Sequence, residues 1–264
     1  MFAKNAQSCV REAAIACGGN FRQYKYRACD PGERPTNVYG LSTDYSAVEG
    51  TVLLVDHDKD VMVLREGRKA KFAAFQISNL TSVPNVGDKV FVTPYERRHF
   101  DGRKFSEPEK NPDGFSTIVI GESISRIKNV PENASIYLQQ MVKQIEEIRA
   151  DHRRTIAQVL IDSGAYKHPV RFRDIDADKS DHMLPQVIFH VEVGGAKGTL
   201  TITLDRGADD YSIALLLDEQ EPEYREGLFF DDLAKTINDL LVKDNSWIKD
   251  QVRLIKAAKV SKTA

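Results

Sequence analysis

Val48-Glu-Gly-Thr-Val-Leu-Leu-Val55, Asp56-His-Asp-Lys-Asp60, Val61-Met-Val-Leu64, Glu66-Gly67 and Lys69-Ala-Lys-Phe-Ala-Ala-Phe75 follow one another closely in the first third of the chain. The apolar runs are β-branched and short, and each stops at residues that favour turns, so the stretch reads as a series of strands. Outward from it, Pro84-Asn-Val-Gly-Asp88 is a further turn and Lys89-Val-Phe-Val-Thr93 a further strand. Phe100-Asp-Gly-Arg-Lys-Phe105 carries the Asp-Gly pair of a tight hairpin, and residues 116–120 supply a last strand. Short strands at this spacing predict a small β-barrel-like domain over residues 48–129.

Upstream, residues 6–17 are Ala-rich and run into Gly18-Gly19, the pattern of a short helix and its stop. Phe21, Tyr24 and Tyr26 then alternate with Arg22, Lys25 and Arg27, so residues 1–47 form a helix with a basic, aromatic extension. Downstream, Leu138, Met141, Ile145, Ile148, His152, Thr155 and Val159 recur at 3-4 spacing. That stripe predicts one long helix over residues 134–163, packed in cis or serving as a homodimer seam. Strands at 186–193, 199–204 and 211–217 follow, with turns at Gly194-Gly195 and Arg206-Gly207, and then helices at 229–242 and 246–258. The expected class is α+β: an N-terminal small β-barrel-like domain, a long linking helix, and a C-terminal antiparallel sheet packed with helices over residues 130–264.

The 264 residues carry a net charge of −2, unevenly spread. Residues 1–47 hold six Lys/Arg against four Asp/Glu, residues 48–129 thirteen against twelve, and residues 130–264 eighteen against twenty-three. The acidic excess therefore lies in the C-terminal half and points there for a basic partner. No apolar run approaches the roughly 20 residues of a membrane span. The start of the chain lacks the apolar core of a secretory signal. Three cysteines, Cys9, Cys17 and Cys29, are too few and too close to one end for a disulfide framework. A cytoplasmic location without membrane contact is the expectation.

Motifs for chemistry are missing. Asp174, Asp176 and Asp178 alternate as in a calcium loop, but Lys179 and Pro185 stand where that loop needs Gly and a bidentate Glu. Asp56, His57, Asp58 and Asp60 sit where a hairpin turn is expected. Gly194-Gly195-Ala-Lys-Gly198 joins two antiparallel strands and opens no helix, so it is no phosphate loop. The reading leans away from an enzyme, with no cofactor and no metal expected.

The positive signal is basic and aromatic. Arg65, Arg68 and Lys69 flank one turn, and Arg97, Arg98, Arg103 and Lys104 another, with Tyr95 and Phe100 close by. Cations that neutralise phosphates beside rings that stack on bases are the chemistry of single-strand recognition. These nine residues form the candidate nucleic-acid site. The alternative is a regulator or inhibitor of a host system acting through the acidic C-terminal half, where Glu219, Glu221, Glu223 and Glu226 cluster.

The stretches Val48-Glu-Gly-Thr-Val-Leu-Leu-Val55, Val61-Met-Val-Leu-Arg-Glu-Gly-Arg68, Leu80 and Val83-Pro-Asn-Val-Gly-Asp-Lys-Val90 together resemble the small KfrB-type domain. That family occurs in proteins of bacterial plasmids and other mobile elements. The resemblance, over residues 48–95, implies a strand-rich accessory module of a mobile-element protein and carries over no catalytic residue.

Overall fold

A computed structural model describes residues 2–17, 24–36, 38–40, 43–67, 70–117, 124–175, 184–218, 220–243 and 248–258. The chain divides into two compact units, Met1–Glu96 with Asn245–Ala264, and Arg97–Asp244. The division falls at 96/97, not at the boundaries near 47 and 129 expected from composition. In sequence, the second unit is an insertion into the first.

The first unit is built on a six-stranded sheet. Its elements are α1 (Phe2–Ala16), β1 (Lys25–Cys29), β2 (Val48–Asp56), β3 (Val61–Arg65), β4 (Lys71–Gln76), a 3-10 turn at Ile77–Asn79, β5 (Lys89–Thr93) and a late strand, Gln251–Lys256, numbered β13 in chain order. The strand order is β1-β4-β3-β2-β5-β13, with β1 parallel to β4 and the other pairs antiparallel. Ala6, Cys9, Val10, Ala13 and Ala14 recur at helical spacing and bury one face of α1 against Val61, Val63, Phe72 and Ala74. The alternate residues Met62, Leu64, Ala73 and Phe75 turn to the other face, where they meet Val48, Val52, Val90 and Val92. Both faces of β3 and β4 are therefore dry, which explains their continuous apolar runs.

The barrel is corrected by this sheet. Its two ends, β1 and β13, do not pair, and none of the three sheets among the described residues closes. A small barrel leaves its outer face to solvent, whereas here α1 covers that face. Bending is local: β2 carries a bulge between Val52 and Leu54. At Gly50 a Cβ would lie 2.7 Å from the Arg65 carbonyl oxygen, so glycine lets the two strands approach.

The helix expected at 246–258 is also corrected, because residues 251–256 pair with β5 as β13. Two buried carboxylates hold this return strand. Asp250 accepts from the Tyr95 N–H at 3.1 Å, and Asp88 accepts from the Ala258 N–H at 2.7 Å.

The second unit has a two-stranded ribbon, β6 (Glu109–Lys110) with β7 (Ser116–Thr117), then α2 (Ile136–Glu147) and α3 (Ile156–Asp162). A 3-10 turn (Ala165–Lys167) leads to β8 (Arg171–Arg173), β9 (Gln186–Val193), β10 (Ala196–Asp205), β11 (Asp210–Leu217), β12 (Glu223–Leu228) and α4 (Phe230–Leu241). The sheet is antiparallel throughout, in the order β12-β11-β10-β9-β8. Its residues Val187, Phe189, Val191, Leu200, Ile202, Ile213 and Leu215 share one core with all three helices.

The single long helix of residues 134–163 is broken. Ile148 is extended (φ −68°, ψ 130°), the Asp151 carboxylate takes the N–H groups of Arg153 and Arg154, and the Thr155 hydroxyl caps α3 at the Gln158 N–H. Leu138, Met141, Ile145, Ile156 and Val159 lie inside the unit's own core, so the stripe is not available as a homodimer seam. With four helices and three open sheets, the described chain is a mixed, sheet-rich architecture that meets the α+β label only loosely. Among the described residues no helix is long and apolar enough to cross a membrane.

Candidate functional site

The nine residues of the candidate nucleic-acid site do not share one surface domain. Arg65 and Tyr95 belong to the first unit, and Arg97, Arg98, Phe100, Arg103 and Lys104 to the second. Arg68 and Lys69 lie outside the described residues. Arg97 is 2% exposed and its guanidinium sits 4.5 Å from the centre of the Phe105 ring, an interior cation–π contact. Phe100 is buried against Phe189, ring centres 6.3 Å apart, and belongs to the core. Arg98 gives its guanidinium to the Gly102 carbonyl at 3.1 Å. Arg103 reaches Asp101 at 3.4 Å and Glu109 at 3.3 Å, and the Lys104 N–H bonds the Glu107 carboxylate.

Three carboxylates of the two Asp-rich stretches, Asp56, Asp60 and Asp174, also have structural partners. Asp56 accepts from the Lys59 N–H and ammonium. Asp60, in the left-handed region (φ 56°), accepts from Ser78 and Gln76. Asp174 accepts from the Ser135 N–H and hydroxyl ahead of α2. Asp176 and Asp178 lie outside the described residues.

A hollow of about 180 Å³ does gather Arg103, Arg126 and Lys128 beside the His99–Phe105 ring pair, centres 4.3 Å apart. Each cation already has an acid: Arg126 pairs with Glu146 at 2.6 Å, and Lys128 with Asp101 at 2.9 Å. Burial works to raise the Asp101 pKa, but the hydrogen bond from Lys128, the Arg103 N–H and both positive charges outweigh it and hold the carboxyl at about 2. A carboxyl depressed in the fold from its ordinary 3.8 stabilises the protein above that value and loses the contribution as pH falls from about 4 to about 2. Asp101→Asn is therefore expected to flatten this part of the acid-denaturation curve, which denaturant titrations at stepped pH will show.

A different surface stands out at the sheet edge. Residues 205–244 carry twelve Asp/Glu against four Lys/Arg. In this segment β12 is the edge strand, bonded to β11 only, and Tyr224–Gly227 are all exposed. Tyr224 stands opposite Ala214, on the sheet face away from the core, and Leu216 lies on that same face. The strand is kinked by a bulge at 226–227, where Gly227 adopts φ 66°.

Two further rings follow the strand. Phe229 and Phe230 are 60% and 56% exposed, as Tyr224 is at 60%. Phe229 occupies the N-cap of α4 and makes no side-chain cap bond. Ser, Thr, Asp or Asn at an N-cap is worth about 1 kcal/mol, so the ring's presence there does not serve the helix. Glu221, Glu226, Asp231 and Asp232 are exposed and form no ion pair with the described residues. Asp231 and Asp232 suit the positive end of α4, but Glu221 and Glu226 have no such structural role. Glu223 is engaged by Arg225 at 3.2 Å and Lys243 at 3.9 Å.

The acids here were readable in sequence, but the three rings were not, because a helix starting at 229 gave no sign that both phenylalanines face outward. No family model, curated protein or solved structure matches the chain.

Proposed function

We propose that this chain is a non-enzymatic binding protein that docks a partner protein on the acidic, aromatic edge formed by β12 and the start of α4. The carrying observation is the pair Phe229–Phe230, outward at a cap position and set among unpaired carboxylates. Exposed aromatics ringed by charge are the usual composition of a protein-binding hot spot. The occupant is an extended, basic segment with apolar side chains: its cations meet Glu221 and Glu226, and its apolar groups meet Tyr224, Phe229 and Phe230.

The nucleic-acid reading has less support, since its cations fall in two units and, in the second, Arg97 is buried, Arg98 is bonded to a carbonyl and Arg103 is paired with acids. The likeness of residues 48–95 to KfrB-type domains is the ground for placing the protein among cytoplasmic accessory factors of a bacterial mobile element.

The test uses a labelled peptide alternating lysine with valine and tryptophan, and a second in which glutamate replaces lysine, followed by fluorescence polarisation. The basic peptide is expected to bind and to weaken with salt. Glu221→Lys with Glu226→Lys, and separately Phe229→Ser with Phe230→Ser, are each expected to weaken it by about tenfold or more, the scale of hot-spot losses. Failure of the basic peptide to bind, equal binding of the acidic one, or indifference to both double variants overturns the proposal.

A further inference from the structure

A second hollow, of about 290 Å³, opens at one end of the five-stranded sheet, remote in sequence from the β12–α4 segment apart from Asp218. His190 of β9 stands opposite Thr199 of β10, and Glu192 lies two residues along the same face. His168 follows the 3-10 turn that supplies Lys167. The two imidazoles lie side by side, centres 4.9 Å apart and tilted by 50°, and neither makes a hydrogen bond with the described residues. Lys197 and Asp218 complete the polar lining.

The two lysines of the lining balance its two acids while the imidazoles are neutral, and protonation of the histidines tips the hollow positive. Glu192 is taken by Lys167 at 2.5 Å. Asp218 uses its backbone N–H on the Lys197 carbonyl at 2.7 Å and also lines the hollow. Against these two acids stand Lys167, Lys197 and the two histidines, with Arg171 of β8 acting on His190 from beside them. Burial, Arg171 and His168 together make His190 harder to protonate than a free imidazole. The crowded groups are N–H donors or become donors on protonation, and Thr199 adds a hydroxyl.

We propose that this hollow binds a doubly charged oxyanion, a phosphate group or its sulfate analogue, between His168, His190 and Lys197. The anion relieves the repulsion among the cations and takes hydrogen bonds from both rings. Binding is then linked to protonation: it tightens as pH falls through the imidazole range, and the bound anion raises both imidazole pKa values. This inference does not depend on partner docking at β12.

Sulfate is the first probe, because it stays a dianion between pH 5 and 8 and any pH dependence belongs to the protein. The imidazole proton resonances are followed by NMR across pH, with sodium sulfate and with sodium chloride at matched ionic strength. Sulfate is expected to raise the pKa of His168 and His190 and to leave His99 unmoved. Affinity is expected to fall about tenfold on alkalinisation for each unit by which a histidine is raised. His190→Gln should flatten the pH dependence, and Lys197→Gln should weaken binding at every pH. Repeating the titration with inorganic phosphate and with glycerol phosphate separates a free-ion site from a phosphate-ester site, and either result supports the proposal.

Equal effects of chloride and sulfate overturn it. So does a histidine pair that ignores sulfate but binds zinc with affinity rising as pH rises, which reassigns the hollow to a metal ion.

Discussion

Arg154→Ala is expected to cost the Arg97–Asp244 unit about 3–5 kcal/mol, the usual loss when one partner of a buried ion pair is removed. The Arg154 side chain is 0% exposed and Asp162 3%. Its guanidinium binds Asp151 at 2.7 Å, Asp162 at 3.4 Å and the Asn238 side-chain oxygen at 3.0 Å, joining the loop before α3, α3 itself and α4. Alanine would leave a buried carboxylate beside a void where the cation lay. For a unit of this size the loss corresponds to a fall of roughly 10 °C in the unfolding midpoint. Arg154→Met combined with Asp162→Leu is expected to recover part of it, since an apolar pair carries no unpaired charge. Circular dichroism melts of the full chain will check both. An Arg154→Ala melt within a degree or two of the parent would show that the network does not hold the helices together.

The same arginine shows where sequence reading stopped. Arg, Asp and Thr at 151–155 interrupt the apolar stripe only mildly, because Ile148 and Thr155 keep the 3-4 spacing across the break. Asp151, whose carboxylate holds the turn between the helices, and the Thr155 cap of α3 were present in the sequence, but nothing local showed that Arg154 turns inward to meet Asn238. Charged side chains are almost never fully buried unless paired, which is also why Arg97 was expected at the surface.

Strands divide in the same way. β9, β10 and β11 announce themselves by alternation and by glycine turns, and their register follows. β1, β12 and β13 are short and polar or irregularly apolar, and exist because a neighbouring edge was there to pair with. That dependence turned an expected helix into β13 and hid the sixth strand that makes the first sheet an open layer. The functional surface was half legible for a related reason. Its carboxylates are a compositional fact, whereas the outward placement of Phe229 and Phe230 depends on which residue caps α4.

Gly198→Ala is expected to be the most damaging methyl addition in the second unit. Its Cβ would lie 1.9 Å from the Leu216 carbonyl oxygen, 2.8 Å from that carbonyl carbon and 2.8 Å from the Leu217 Cα. These are backbone atoms and cannot swing aside. Gly198 is paired on both flanks, with Val191 and with Leu217, so β10 has no free side toward which to move. Relief requires β10 and β11 to separate, and that strains the Asp218 N–H bond to Lys197. The expected loss is about 3 kcal/mol or more, at or beyond the upper end for overpacked cores. Gly195→Ala is the control: its φ is +90° but nothing lies within 4 Å, so its cost is the left-handed backbone penalty of about 1–2 kcal/mol alone. Denaturant midpoints should therefore rank parent, Gly195→Ala and Gly198→Ala in falling order. The reverse ranking would mean that β10 and β11 lie farther apart than the structure places them. Because Gly198 also lines the histidine hollow, the same variant should lose the sulfate-induced shift of His190 under conditions where the Gly195 variant keeps it.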